Sequence, residues 1–170
     1  KGQDFSSSLL QAQASGAKII GLANAGADTT NAIKQAAEFG VTPKQSLAGL
    51  LMFISDVHSL GLQSTQGRYL TTGFYWDLND RTRAFTQRVL PSMPQGLRPG
   101  MAQAGCYSGV LHYRKAVADM GVAAAKTSGS DAVARMKAMP TDDDAFGAGT
   151  IRADGRKLHP AYLLEVKAPG

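Results

Sequence analysis

The sequence predicts an α/β fold built on a parallel sheet. Three observations carry that expectation. Short apolar runs of strand length recur through the first third of the chain, at Ala17–Ala23, Leu47–Phe53 and Arg68–Thr72. Each pair of runs is separated by a stretch with apolar residues at helical spacing. Gly, Asn and Pro punctuate the junctions. Strands alternating with helices at such spacing form βαβ units, whose parallel sheet is covered on both faces.

Taken in order, Asp4 caps a first helix whose inner face is Phe5, Leu9 and Ala12, with Gly16 as its left-handed stop. The run at 17–23 is a buried strand, and Asn24-Ala25-Gly26-Ala27 is turn material. Asp28 or Thr29 caps a second helix through Ile33, Ala36, Ala37 and Phe39, closed by Gly40 with Pro43 just beyond. Leu47–Phe53 is the next strand. Ser55-Asp56 either starts a short helical turn ending at Gly61 or offers a hydroxyl and a carboxylate to a ligand. For Asp28 the same two readings stand, a plain cap or a ligand contact.

After Gly73 the character changes. Phe74-Tyr75-Trp76 precedes a helix from about Asn79 to Leu90, and Pro91, Pro94 and Pro99 mark a long loop. A long helix follows, with Cys106, Val110, Tyr113, Val117 and Met120 on one expected inner face. Lys115 and Asp119 are spaced to pair along it, and Gly121 ends it. Ser130 or Asp131 starts a shorter helix through Val133, Met136 and Met139, stopped by Pro140. Asp142-Asp143-Asp144 reads as a solvated turn. Gly149–His159 reads as a hairpin on the turn Asp154-Gly155, and Ala161–Val166 as a last strand.

Composition narrows the function. The 170 residues suit one domain of common size, and 44% hydrophobic content in periodic segments excludes a disordered chain. No apolar run reaches the ~20 residues of a membrane span. Lys and Arg number 18 against 13 acids, a formal charge of +5, but they are scattered, and nucleic acid is not expected as a partner. The single cysteine, Cys106, excludes an internal disulfide and a cysteine metal cluster, and its apolar setting marks it as a small buried hydrophobe.

Enzyme motifs fail one by one. Cys106-Tyr107-Ser108-Gly109 is not a nucleophile elbow. Gly21–Gly26 lacks the Lys and Ser or Thr of a phosphate loop and is followed by Ala27-Asp28. His58, His112 and His159 have no ligand-spaced partners. What remains is geometric, because open α/β sheets take ligands beyond the carboxyl ends of their strands. Two such ends carry small and polar residues together, Asn24–Asp28 after the first strand and Phe53–His58 after the second. Phe53 is either core or a wall for a flat solute.

A family resemblance then joins these pieces. Asp4–Gln13, Gly16–Gly26, Ala32–Gly40, Asp56–Gly61, Phe74–Asn79, Tyr107-Ser108 and Asp154–Lys157 occur in order along nearly the whole chain. Together they resemble the type 1 periplasmic solute-binding proteins of ABC importers, nearest the branched-chain amino acid class and its aromatic-acid-binding relatives. The resemblance implies a partial parallel-sheet sandwich in which residues 1–73 belong to lobe 2, 74–158 to a returning segment of lobe 1, and 159–170 to a return strand into lobe 2. It implies the C-terminal half of a longer periplasmic protein whose signal peptide lies upstream.

The implied function is non-catalytic binding of a carboxylated solute, a branched-chain amino acid or an aromatic acid, in a cleft between lobes that close about a hinge. The implied partner is the importer's membrane permease, and neither cofactor nor metal is expected. The implied ligand residues are Asn24, Ala25, Phe53, Ser55 and Asp56, joined by Tyr75 near the crossover and Met101 at the head of the long helix. Ser55-Asp56 departs from the Gly-x-Glu-like pattern with which amino acid binders hold an ammonium. The alternative is a ligand-sensing module of the same fold. An incomplete lobe is expected to expose apolar surface and to self-associate.

Overall fold

The structure, a computed structural model, describes residues 3–42, 44–94 and 96–168; Lys1, Gly2 and Pro43 thus lie outside the described residues. The chain divides into two compact units. One comprises the residues up to Thr72 together with those from Tyr162 onward, and the other runs from Gly73 to Ala161. No helix among the described residues is long and apolar enough to cross a membrane.

The first unit is a four-stranded sheet of β1 (Ile19–Leu22), β2 (Ser46–Gly49), β3 (Tyr69–Thr72) and β7 (Tyr162–Glu165), in the order β1-β2-β3-β7. The first three strands are parallel, with Leu22 opposite Gly49 and Ala48 opposite Tyr69. The last strand departs from the all-parallel expectation, pairing antiparallel to β3 with Thr72 opposite Tyr162. Its helices are α1 (Ser6–Ala14), α2 (Ala27–Glu38), α3 (Ile54–Leu60) and the one-turn α4 (Leu62–Thr65).

Strand side chains alternate between the two faces of a sheet. Leu22, Leu47 and Leu70 therefore point to one side, where they pack with Leu9, Ile33, Val41 and Met52 in an aliphatic core. The opposite set stays open: Ile19 is 63% and Leu163 68% exposed, and Tyr69 is exposed beside them. The expectation of two covered faces thus holds for one face among the described residues.

Two local expectations are corrected. The second helix begins at Ala27 with Gly26 as its cap residue, two residues before Asp28 and three before Thr29. Gly26 sits at φ +57°, a conformation that costs an L residue steric strain, so the chain can reverse into α2 without a side-chain cap. The second strand also ends early, at Gly49 rather than Phe53. Met52 folds back so closely that a Cβ on Gly49 would lie 2.7 Å from its Cβ, and Leu50 and Leu51 are left exposed in the turn.

The second unit contains α5 (Asp80–Val89), a 3-10 turn (Leu90–Ser92), α6 (Met101–Met120), α7 (Val122–Thr127) and α8 (Gly129–Ala138). A ribbon of β4 (Thr141–Asp143), β5 (Gly147–Ile151) and β6 (Lys157–Leu158) completes it, all antiparallel. Asn79 caps α5 by accepting from the Thr82 N–H at 3.0 Å. Ser128, not Ser130 or Asp131, caps α8, accepting from the Asp131 N–H at 3.2 Å. Phe74, Phe85 and Phe146 meet edge to face in an aromatic core, with ring centroids 5.5 and 6.0 Å apart.

The long helix α6 faces the other way from its apolar periodicity. Its buried residues are Ala104, Ser108, His112 and Ala116, while Val110 is 61% and Tyr113 46% exposed and Cys106 is exposed as well. The small residues allow close approach, and each of the polar pair finds a partner inside, although the buried His112 Nδ1 has none among the described residues. The His112 ring Nε2 meets the Met136 carbonyl of α8 at 2.8 Å. On α8 the inward residue is Ala132, and Val133 is exposed. Lys115 donates to the Asp142 carbonyl at 2.7 Å and Asp119 pairs with Arg135, so the expected Lys115–Asp119 pair gives way to longer-range partners.

The acidic run after Pro140 begins in a strand and carries a clamp built on the Asp143 side chain instead of forming a solvated turn, although Asp142 is exposed. Asp143, half-buried as a residue but with its side chain only 3% exposed, accepts from Ser108 at 2.6 Å and Lys157 at 2.8 Å, tying β4 to α6 and β6. Its other oxygen accepts from the Ala145 and Phe146 N–H groups at 3.0 and 2.6 Å. Burial opposes ionisation of Asp143, but these donors outweigh it and hold the carboxyl below its ordinary range. Next to it, Asp144 binds Arg88 and accepts from the Tyr107 hydroxyl at 2.7 Å.

Candidate functional site

In the first unit, β1 and β2 lie side by side and parallel, so the loops that follow them leave the same end of the sheet together. The backbone pairing continues one step past the strands, where the Leu50 N–H donates to the Leu22 carbonyl at 3.1 Å. The loop that carries Asn24 and Ala25 and the turn that leads to Phe53–Asp56 therefore start from the same end of the sheet. The paired carboxyl ends of two parallel strands form the natural ligand edge of an open α/β sheet.

The first loop is held from below. Fully buried Thr29, one turn into α2, donates its hydroxyl to Asn24 Oδ1 at 3.1 Å. That bond fixes the amide plane and leaves the Asn24 NH₂ group as the donor side of the turn. Ala25 is exposed, with its small side chain and main chain on the surface. The sequence marks Thr29 only as a cap candidate; its signal as a positioning residue is a hydroxyl on the buried face of an otherwise apolar helix.

The second loop is built around Asp56. Its carboxylate Oδ2 accepts from the Phe53 N–H at 2.8 Å, and its own N–H donates to the Phe53 carbonyl at 3.0 Å. Asp56 is 8% exposed and sits in the first turn of α3, where a carboxylate also offsets the positive helix end. The side chain therefore works within its own loop, fixing the start of α3. Ser55 is exposed beside it. Phe53 is half-buried and is not among the residues packed against the aliphatic core, so a large ring stands at the edge of the unit.

Tyr75 and Met101 belong to the second unit. Tyr75 is half-buried with its ring 5.9 Å from that of Trp76, and burial, helped by the charge of Asp77, pushes its phenol above the ordinary value. It is a neutral hydroxyl at physiological pH. Met101 opens α6 and packs against the aromatic core. The five residues of the first unit thus lie on two loops from the same end of the sheet, while in the second unit Met101 packs on the aromatic core and Tyr75 lies beside Trp76.

Chemically, the two loops offer neutral donors, an aromatic ring and small residues that permit close backbone approach. Such a set binds and orients; it contains no nucleophile–base pair of the kind covalent catalysis needs. Elsewhere, the Lys157 ammonium group approaches the Ser108 hydroxyl to 2.6 Å, and Asp143 accepts from both, so the three side chains form a clamp that ties elements of the second unit together.

A family model described as periplasmic binding protein matches residues 1–170. No curated protein sequence matches the chain. Among solved structures, a periplasmic binding protein from Burkholderia mallei is 49% identical, with a TM-score of 0.88, over 99% of this chain and 43% of its own. A branched-chain amino acid ABC transporter periplasmic ligand-binding protein from Burkholderia xenovorans LB400 is 41% identical, with a TM-score of 0.77, over 99% of this chain and 44% of its own. An ABC transporter solute-binding protein from Rhodopseudomonas palustris, solved with benzoate, shares the fold at 18% identity and a TM-score of 0.77, over 96% of this chain and 44% of its own. The chain spans less than half the length of each of these structures.

Proposed function

Because the chain belongs to the periplasmic binding protein family, we propose that it captures a small carboxylated solute and delivers it to the membrane permease of an ABC importer. The observation that carries the reading is the pairing of two polar, small-residue loops at the carboxyl ends of adjacent parallel strands. The name of the B. xenovorans relative, a branched-chain amino acid transporter component, supports a carboxylated solute. No catalysis is involved.

In this reading Asn24, Ala25, Phe53 and Ser55 meet the solute from one lobe, while Asp56 acts as a positioning residue that holds the second loop in shape. Tyr75 and Met101 contribute from the other lobe. The first unit is part of lobe 2 and the second a portion of lobe 1. Solute bound between the lobes favours their closed arrangement, and the permease reads that closed surface. The protein works outside the cytoplasmic membrane.

The test is calorimetry, with thermal shift alongside, on the protein as its gene encodes it, against amino acids and hydroxybenzoates. Binding at micromolar affinity or tighter is expected, where 1 μM corresponds to about 8 kcal/mol. The absence of heat and of any shift across the whole panel would overturn the proposal.

A further inference from the structure

We propose that the His159 ring, seated on Gly73, locks the two passages of the chain between its units to each other, so that they bend as a single hinge ribbon. The inference rests on the solute-binding reading, which requires lobes that close, and adds the residues that set how freely they do so.

The chain passes from one unit to the other twice, at Thr72–Gly73 and at Ala161–Tyr162. On the side of the first unit the passages are joined by backbone pairing, since β3 and β7 run antiparallel up to Thr72 opposite Tyr162. That pair is the last of the ladder, and within the second unit the connection is made by a side chain. The His159 ring stands over Gly73 so closely that a Cβ there would lie 2.5 Å from its Cε1. Gly73 is not at positive φ, so space for the ring, and not backbone freedom, calls for a glycine.

The ring is itself held in place. It packs on Phe146, with centroids 4.5 Å apart, and its Nδ1–H donates to the Pro160 carbonyl at 2.8 Å. Pro160 in turn keeps the backbone of His159 out of the helical region. Phe146 also meets Phe74, the residue after Gly73, at 6.0 Å between centroids. Both passages therefore rest on one aromatic side chain, and a methyl group at Gly73 would have to push the ring off it. Hinges concentrate their backbone change in a few element-terminal residues. Two such segments fastened to each other on both sides of the boundary bend together and resist sliding past one another.

Thermal melting and pulsed electron paramagnetic resonance on the gene-encoded protein, both without solute, test the lock. Gly73→Ala should lower the melting temperature of the parent by at least about 2 °C, and that of His159→Ala by less than half as much, because the vacated space takes the methyl group. For the hinge, spin labels are placed on the exposed Cys106 of α6 and on Lys34→Cys of α2, one in each unit, with any other cysteine replaced by serine. In samples frozen from folded protein, the spread of label distances should be at least about 1.5-fold wider in Gly73→Ala and in His159→Ala than in the parent. Equal costs of Gly73→Ala in the two backgrounds would show that the ring is not seated on Gly73 and overturn the inference. An unchanged spread in either variant would leave the packing a purely structural contact and overturn it as well. Neither measurement uses a solute, so either failure leaves the solute-binding reading to its own calorimetric test.

Discussion

The two units hold themselves together by different means. The first is cored by aliphatic side chains, Leu9, Ile33, Val41, Leu47, Met52 and Leu70, and relies on shape and burial. The second has an aromatic core and is tied by charge: Asp143 to Lys157 and Ser108, Asp144 to Arg88 and Tyr107, Asp119 to Arg135. The contrast separates two kinds of specification. Aliphatic packing tolerates volume-conserving changes, whereas a buried ionic clamp depends on its hydrogen-bond geometry and is intolerant of losing a partner.

The sharpest way to break the contrast is Asp143→Ala. It removes four hydrogen-bond acceptances at once and leaves Lys157, itself mostly buried, without its counter-charge. A loss of about 3–4 kcal/mol is expected, toward the lower end of the range for broken buried pairs because Lys157 retains some access to water. The sole tryptophan, Trp76, packs on the same unit's aromatic core, so its fluorescence should follow the loss in a denaturant titration. Replacing both partners, Asp143→Asn with Lys157→Met, should recover much of it. A single variant as stable as the parent would show that the clamp is decorative.

Acid offers a graded version of the same test. Asp143 titrates below its ordinary value in the folded protein, so its contribution is fully present above the unfolded value of about 3.9 and is lost as pH falls through the lower folded one. Asp144, drawn down by Tyr107 and Arg88 against its burial, shifts in the same direction. The transition reported by Trp76 should therefore weaken below about pH 4, and Asp143→Ala should flatten that dependence. An unchanged slope in the variant would remove Asp143 from the acid response.

In the aliphatic unit the corresponding change is smaller. Ile33 is 1% exposed at the centre of its core, and Ile33→Val trims one methylene. About 1 kcal/mol is expected, read as a shift of the far-UV circular dichroism midpoint. A loss comparable to that of Asp143→Ala would erase the distinction between the two kinds of core.

The same contrast explains what the sequence makes legible. In the first unit, Leu9, Ile33 and Leu47 recur at helix or strand spacing because burial there is aliphatic, so the order of its elements can be read along the chain. The long helix misleads for the opposite reason. Its inward face, Ala104, Ser108, His112 and Ala116, is small or polar, with Ser108 and the His112 Nε2 meeting partners far along the chain, while the apolar stripe through Val110 and Tyr113 stays exposed. Asp143 reads as a turn residue because its partners lie 35 positions upstream and 14 downstream, beyond the reach of any local pattern. At the candidate site, the two loops and their residue types are visible in sequence, but the direction of Asp56 is not. Whether a carboxylate faces a solute or its own helix start depends on a single bond to Phe53.

That bond provides the smallest and most local test. Asp56→Asn keeps an acceptor for the Phe53 N–H but removes the charge that offsets the α3 helix end. A loss of about 0.5 kcal/mol is expected, visible as a small drop in melting temperature. Salt should narrow the difference between parent and variant, because a charge–dipole interaction near the surface is screened. A variant more stable than the parent would mean that the carboxylate is strained where it stands, as a group held ready for a ligand would be. It would move Asp56 from supporting the loop to serving the site.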